Sequence, residues 1–491
     1  MTTVRYLCLL VPLALLLGAA RLDQRRHPAP DRRRDVRLAA LLAGIAAAVG
    51  IAALHELSRL TGWYTFAEVD GTFRGMPVDL WLGWAVLWGP VPVLLRRVVP
   101  VPAALGLLLW LDAVTMPELA PLVRLAPNWL VGELVGLLLV ALPAQLLGRW
   151  SADRRQLTAR VLLQMAVFTA VTLWLVPTAV FEYGDGSWAR LTALPADRLF
   201  LLAQVGLLVA VPALAAVREF AVCGGGTPYP WDPPRRLVTT GPYAYLANPM
   251  QVSAVGLLLL IAASTGSGWL AVAALAAVAF GVAVAGPHER RYLDQRYGPA
   301  WRAYRSQVRD WWPRWRPYPS PVPASDPPPA VLWIDADCGT CRAVAGFLHR
   351  RRPHRLVIRP AAEHPEVLWR ARYEGGDGRT ERGVAAVAHA LDHVNLGWAG
   401  VGWSLRLPGV AWLAQAVTDA MIAPPHPARP GGDAAPARHP AGGTVVARGP
   451  AGRRGEGCPT PNSDCSTGRS PQSASTASPA CRRVPSPPPP G

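Results

Sequence analysis

Two polar strings decide how this chain is read: GGGTPYPWDPPRRLVTTGPYAYLANPMQ, from Gly224 to Gln251, and HERRYLDQRYGPAWRAYRSQVRDWWPR, from His288 to Arg314. Between them lie about thirty-five apolar residues, enough for a hairpin of two short membrane spans. A membrane hairpin needs no flanks so rich in Gly, Pro and Tyr. The flanks therefore carry something beyond anchoring, and the hairpin holds them at one membrane face.

Working outward, the 491-residue chain is 51% hydrophobic and only 16% charged, with mean hydropathy +0.21. That composition excludes an ordinary soluble protein and fits a multi-span membrane protein with soluble parts. Its 20 Trp residues suit interfacial belts. Apolar segments fall near 4–20, 38–54, 80–95, 98–111, 129–147, 161–181, 199–217, 250–264 and 268–286. The segment at 98–111 is short and carries Pro100 and Pro102, which makes it the weakest span. The formal net charge of +17 comes from Arg, with no Lys. These Arg residues sit between apolar segments, where membrane topology accounts for them, so no nucleic-acid partner is expected.

With nine spans, one set of alternate loops collects Arg21, Arg25, Arg26, Arg32, Arg33, Arg34, Arg37, Arg96, Arg97, Arg149, Arg154, Arg155 and Arg160, then Arg218, Arg235, Arg236 and the run from Arg290 to Arg316. The other set holds only Arg59, Arg74, Arg124, Arg190 and Arg198, plus Arg5 near the start. The positive-inside rule then predicts a plasma-membrane protein with its N-terminus outside and everything after Ala285 in the cytoplasm. The first apolar stretch reads as a retained span rather than a signal peptide, because seven Arg residues follow it at once. In the first two hundred residues two acids, Asp112 and Glu133, lie in or near apolar surroundings, and they are expected close to the outer interface.

In the first string, Gly224 to Pro234 can be neither helix nor regular strand. Its glycines allow a ligand close to the backbone. Gly241-Pro242-Tyr243 continues as a turn, and Tyr243 and Tyr245 are expected to present rings and hydroxyls at the membrane surface. Asn248-Pro249-Met250 opens the next span, with Pro in the first helical turn, where it costs no hydrogen bond. Free N–H groups there suit a carboxylate. In the second string Leu293, Tyr297, Trp301 and Tyr304 share one helical face, and Arg290, Arg291, Arg302 and Arg305 can reach anionic headgroups. An interfacial helix alone leaves Glu289 and the helix-breaking Tyr297-Gly298 unexplained.

Taken together, these strings resemble the isoprenylcysteine carboxyl methyltransferase and phospholipid methyltransferase family, membrane enzymes that use S-adenosylmethionine. The match rests on GGGTP-x-P-x-x-PP-x-x-L-V-x-x-GPY-x-x-x-x-NPM, then Glu289, Leu293, Tyr297, Gly298, Trp301, Tyr304, Val308, Arg309, Trp312 and Pro313. Ala247 takes the place of a usual Arg, Gln251 of a Tyr, Ser253 of a Gly, and His288 of the first acid in a Glu-Glu pair. The resemblance implies that Gly241, Tyr243, Tyr245, Asn248, Pro249, Gln251, Glu289, Tyr304 and Arg309 bind S-adenosylmethionine. Glu289 would hold the ribose or ammonium of the cofactor, and Arg309 a carboxylate of cofactor or substrate. The acceptor would be a membrane lipid or a lipid-modified substrate entering between spans.

A Pro-rich linker at 317–329 leads to a second unit. Ala330 to Ile334 reads as a buried strand, Cys338-Gly339-Thr340-Cys341 follows, and Arg342 to Arg352 reads as an amphipathic helix. Strand, CxxC and helix in that order form a thioredoxin-like redox arrangement, with Cys338 the nucleophile at the helix start and Cys341 the resolving thiol. Zinc is the rival reading, but it needs four ligands, and Cys458, Cys465 and Cys481 lie in a tail without folding signals. Cys8 and Cys223 read as small apolar residues. Residues Val331 to Ile422 resemble the DCC family of thiol-disulfide oxidoreductases, through the CxxC, Gly375-Gly376-Asp377-Gly378, Glu381 to Ala386, and Leu407 to Val410. Ala336 replaces a usual Gly. That resemblance implies a cytoplasmic thiol redox partner.

The expected architecture is a polytopic α-helical membrane protein of about nine spans followed by a small α/β thioredoxin-like cytoplasmic domain. Residues 1–198 form a membrane region without a legible role, 199–316 the methyltransferase, 330–423 the redox domain and 424–491 a disordered tail. No metal site is expected. The alternatives for the membrane part are an NADPH-dependent reductase and a scaffold that displays the redox domain.

Overall fold

The computed structural model describes residues 2–26, 30–229, 234–319 and 328–422. Pro230, Pro233, most of the Pro-rich linker, the tail from 424 and its cysteines lie outside these residues. The described chain is mostly helical. Five helices are long and apolar enough to cross a bilayer: Thr2–Arg26, Pro30–Thr61, Trp129–Asp153, Leu157–Tyr183 and Ala196–Gly224. Four shorter apolar helices, Val78–Leu94, Val101–Thr115, Pro249–Thr265 and Gly268–Ala283, occupy the remaining apolar segments. Pro102 sits in the first turn of Val101–Thr115, where its missing N–H is harmless.

Helix Ala196–Gly224 ends in a π-type turn at Phe220–Gly224, and three others widen into one part-way, at Leu137–Ala141, Val171–Leu175 and Gly281–Ala285. Each of these three is followed within two residues by a proline: Pro143, Pro177 or Pro287. Proline cannot donate to the preceding turn, and the hydrogen-bond ladder shifts to accommodate it.

Polar contacts sort the loops into two groups. At one end of the bundle Arg96 pairs with Asp23 at 3.3 Å, Arg154 with Asp35 at 3.0 Å and Arg32 with Asp153 at 3.4 Å. At the other end Arg5 pairs with Asp79, Arg74 with Glu56, and the strands Tyr64–Phe66 and Val123–Leu125 pair antiparallel. There too Asp185 accepts hydrogen bonds from Ser267 Oγ at 2.7 Å and from the Gly268 N–H at 2.8 Å. The Arg-rich loops therefore meet at one end and the Arg-poor loops at the other.

Asp112 and Glu133 are buried in protein beside one another, between helices Val101–Thr115 and Trp129–Gly136 and close to the loop that joins them.

The C-terminal unit holds a four-stranded sheet. Ala330–Ile334 pairs parallel with Leu356–Pro360 on one side and antiparallel with Arg372–Glu374 on the other, and Thr380–Arg382 completes the edge antiparallel to Arg372–Glu374. Helix Gly339–Arg350 makes the parallel crossover, and helices Val384–Leu391, Leu396–Leu405 and Pro408–Met421 follow. Gly339–Arg350 starts three residues earlier than the apolar pattern suggests, because Cys338 itself serves as its N-cap.

The linker does not hold this unit away from the membrane part. Val211, Ala215, Ala244, Tyr245, Tyr304, Val308 and Tyr318 form one apolar cluster with Ala399 and Trp403 of the C-terminal unit.

Candidate active site

The turn after Thr240 is where the first polar string folds onto the second. Gly241 has φ +57°, in the left-handed region that disfavours a side chain. A Cβ there would also lie 2.5 Å from Cγ of Glu219, so a larger residue is excluded twice. Tyr243 is buried, and its carbonyl oxygen accepts the hydroxyl of Tyr304 at 2.8 Å. Its ring tilts against Phe220, with centroids 5.9 Å apart.

Backbone bonds extend the join. The Ala247 N–H donates to Arg309 O at 2.9 Å, the Arg314 N–H to Tyr245 O at 2.9 Å, and the Tyr318 N–H to Ala244 O at 2.8 Å. Tyr304 stacks edge-on against Tyr318 with centroids 5.3 Å apart. Gly298, at φ +52°, separates helix Gly286–Tyr297 from Pro299–Arg305 and turns the chain back so that Tyr304 can make these contacts.

At the mouth of the join, Asn248 Nδ2 donates to Asp310 Oδ1 at 3.2 Å. Asp310 also accepts Arg305 at 2.7 Å and pairs with Arg290 at 3.6 Å. Glu289 belongs to this charged group. Its residue surface is open to solvent while its carboxyl is crowded by protein atoms. Crowding pushes its pKa up, Asp310 pushes the same way, and Arg305 and Arg290 oppose them. Gln251 is exposed in the first turn of helix Pro249–Thr265, and both Gln251 and Trp311 close on Gly281, the start of the neighbouring π-type turn. Beside this group an open concavity of about 480 Å³ is lined by Arg290, Arg291, Asp294, Trp301, Arg302, Arg305 and Ser306.

Seven of the nine residues implied by resemblance divide into two sets, and Asn248 and Tyr245 stand apart. Gln251, Glu289 and Arg309 present exposed side chains. Gly241, Tyr243, Pro249 and Tyr304 are buried and shape the turn. Asn248 is engaged by Asp310. Tyr245 is fully buried, and its hydroxyl is donated to the Asp392 carbonyl of the C-terminal unit at 2.8 Å. The expectation that Tyr243 and Tyr245 face the membrane surface is therefore corrected. Both rings carry enough apolar area to be drawn into the core, where the Tyr245 hydroxyl and the Tyr243 backbone carbonyl find partners.

Beneath Gly241 lies a group that sequence reasoning did not find. Glu219, 2% exposed, accepts Arg379 through both oxygens at 2.8 Å and Thr240 Oγ1 at 3.1 Å. Arg379 also donates to His389 Nε2 at 2.8 Å and touches the thiol of Cys223. Cys223 is accordingly a polar neighbour of an ion pair rather than a small apolar filler. Its position right after an apolar span gave no hint of this.

In the C-terminal unit Cys338 Sγ accepts the Cys341 N–H at 3.4 Å, and both cysteines are free thiols. That N–H, with a smaller contribution from Thr340, holds the Cys338 pKa below the ordinary thiol value, against partial burial and the charge of Asp335. Cys341 lies one turn inside, where burial, followed by its contact with Cys338, pushes it up to about 12. Among the described residues no group of three or more His, Cys, Asp or Glu could hold a metal ion.

Residues 200–300 match the sequence model of the phospholipid methyltransferase family. No curated protein and no solved structure matches the chain. The match covers helix Ala196–Gly224 from residue 200 on, helices Pro249–Thr265 and Gly268–Ala283, the first polar string and the second as far as Ala300. It supports a membrane methyltransferase for this part of the chain.

Proposed function

We propose that residues 199–316 transfer a methyl group from S-adenosylmethionine to a lipid-like or prenylated acceptor at the face of the membrane where the two polar strings meet. The observation that carries this reading is the closure of the strings on each other: Tyr243 and Asn248, inside the segment that matches the methyltransferase family, are met by Tyr304 and Asp310 just beyond its end.

The residues fit the cofactor. Its ammonium and ribose hydroxyls need an acceptor, which Glu289 offers, and Gln251 in the first turn of Pro249–Thr265 can add a hydrogen bond. Its carboxylate suits the first turn of Pro249–Thr265. When bound, the cofactor supplies an electrophilic methyl on a sulfonium, and a carboxylate or neutral nucleophile can take that methyl without a general base. The chain's task is then to hold and orient both partners and exclude water. Arg290, Arg291, Arg302 and Arg305, along the concavity, suit an acidic headgroup or carboxylate of the acceptor. The methyltransferase match weighs against an NADPH-dependent reductase. Membranes containing the protein, supplied with methyl-labelled S-adenosylmethionine, should yield a labelled lipid or lipidated species. Absence of label, with tight NADPH binding instead, would overturn the reading.

The C-terminal unit is read as a dithiol–disulfide module facing the cytoplasm. The strand order, the CxxC at the start of the crossover helix and the lowered pKa of Cys338 support this. In the reductive direction the Cys338 thiolate attacks a partner disulfide and forms a mixed disulfide, expelling one partner thiolate. Cys341 then loses its proton and attacks Cys338, expelling the second partner thiolate and closing the Cys338–Cys341 disulfide. The two electrons end on the partner.

A further inference from the structure

We propose that the C-terminal unit is a fixed part of the methyl-transfer site, with Glu219 and Arg379 as positioning residues that set the Gly241 turn. The inference rests on the methyl-transfer reading above and deepens it.

Glu219 ends helix Ala196–Glu219, and the turn Thr240-Gly241 rests on it. Among the described residues of the membrane part, Thr240 and Cys223 meet one oxygen of this carboxylate and none meets both. That role falls to Arg379, whose guanidinium spans them at 2.8 Å each from the hairpin joining Arg372–Glu374 to Thr380–Arg382. Arg379 is itself aimed by His389 Nε2 at 2.8 Å. Two residues beyond Tyr243, Tyr245 is tied to the same unit through the Asp392 carbonyl, and its ring packs edge-on against Trp403 at 5.8 Å. Asp392 is held in turn by Arg406 at 2.8 and 2.9 Å. The motif turn is thus gripped by the C-terminal unit on both sides of Tyr243. An ion pair buried this deeply adds little net stability over an apolar pair, so its fixed bidentate geometry is what it contributes.

The arrangement also separates the two chemistries. Val331 pairs with Glu374 beside the hairpin, whereas Ile334, at the other end of that strand, leads to Cys338. The hairpin that grips Glu219 and the dithiol lie at opposite ends of the central strand. Docking therefore leaves Cys338 open to a soluble partner, and the coupling to the methyl-transfer site is mechanical rather than thiol exchange.

The test uses the full-length protein in membranes or detergent. Arg379→Ala and Glu219→Gln should weaken equilibrium binding of S-adenosylmethionine and raise its KM by about 10- to 100-fold, with kcat changed less. Arg379→Lys should recover part of the loss. Arg370→Ala, which removes the exposed pair with Asp419 on the same unit, should leave binding and kinetics as in the wild type. The alkylation rate of Cys338 reports whether the unit stays folded. If Arg379→Ala unfolds it, Arg379→Lys and Tyr245→Phe decide by the same readouts. Wild-type binding and kinetics in the folded variants overturn the inference and leave the methyltransferase standing. A wild-type protein that neither binds S-adenosylmethionine nor transfers methyl removes both.

Discussion

Tyr304 gives its hydroxyl hydrogen to the carbonyl oxygen of Tyr243 across 61 residues of chain, both of them buried. A phenol so placed acts as a structural donor rather than an acid, and burial pushes its pKa upward. Tyr304→Phe keeps the ring and its contact with Tyr318 but leaves the carbonyl without that donor. The expected cost is about 1–2 kcal/mol, read as an earlier denaturation midpoint in detergent. S-adenosylmethionine binding should weaken in parallel. Unchanged stability would show that the bond does not hold the two strings together.

Glu289 sets a pH dependence. Its pKa is raised, so as pH increases it ionises later than an ordinary carboxylate. Only the ionised form pairs with the ammonium of the cofactor. Affinity for S-adenosylmethionine should therefore climb with pH across a window above the normal Glu range. Glu289→Gln should flatten that climb and weaken binding at neutral pH by about 1.5–3 kcal/mol, the value of a charge-assisted hydrogen bond. Calorimetric titrations at several pH values read both effects. A pH profile shared by variant and wild type would remove Glu289 from the cofactor site.

The loop charges carry a third prediction, about sidedness. The Arg-rich loops gather at one end of the bundle through Asp23–Arg96 and Asp35–Arg154. Single cysteines at Thr65 and Ser187, in the Arg-poor loops, should react with an impermeant maleimide on intact cells, and one at Ser306 should react only after lysis. Labelling of Ser306 from outside would invert the protein and put the polar strings on the wrong side of the membrane.

What was legible in the sequence was whatever local pattern dictates. Apolar runs gave helices, Tyr297-Gly298 gave a break, and Ala330 to Cys341 gave strand then helix. What was not legible depended on contacts far apart in the chain. Glu219 stands at the end of an apolar run beside Arg218, where a charge reads as an ordinary interfacial residue, and its partner Arg379 is 160 residues away. Tyr245 carried the motif but not the direction of its hydroxyl. The loop between Asp112 and Glu133 says nothing of their contact; the two helices that flank it bring the acids together.

His389 links acidity to docking. Its Nε2 accepts from Arg379, which requires a neutral ring, and burial together with Arg406 and Arg379 holds its pKa well below the ordinary histidine value of 6.5. The unfolded chain takes up this proton below that value while the folded protein does not. Stability from this group is therefore fully present above pH 6.5 and is lost as pH falls below it. Asp392, raised to about 6 chiefly by burial, acts oppositely, adding stability as pH falls through about 6 toward the usual carboxylate range. The informative quantity is thus the difference between wild type and His389→Gln, which keeps an acceptor but cannot be charged. Wild type should lose more stability than the variant between pH 7 and 5 in thermal unfolding. Parallel curves would exclude His389 as the source.

The two thiols of the C-terminal unit should differ in reactivity, by an amount fixed by one helix turn. Cys338 caps helix Gly339–Arg350 and its sulfur accepts the Cys341 N–H, an arrangement that favours the thiolate. Cys341 is inside the helix, and its pKa near 12 leaves almost no thiolate at neutral pH. Iodoacetamide should therefore modify Cys338 much faster, with a rate that levels off below the pH typical of free thiols. Asp335 tempers this, because its charge raises the Cys338 pKa and its carboxylate is fixed nearby by the Asp337 N–H at 2.8 Å. Asp335→Asn should lower the Cys338 pKa further and shift the alkylation profile to lower pH. Titration against glutathione buffers, read by mass, should show one reversible two-electron couple confined to this pair. Equal reactivity of the two thiols, or no disulfide at any potential, would mean that the CxxC caps a helix and does nothing more.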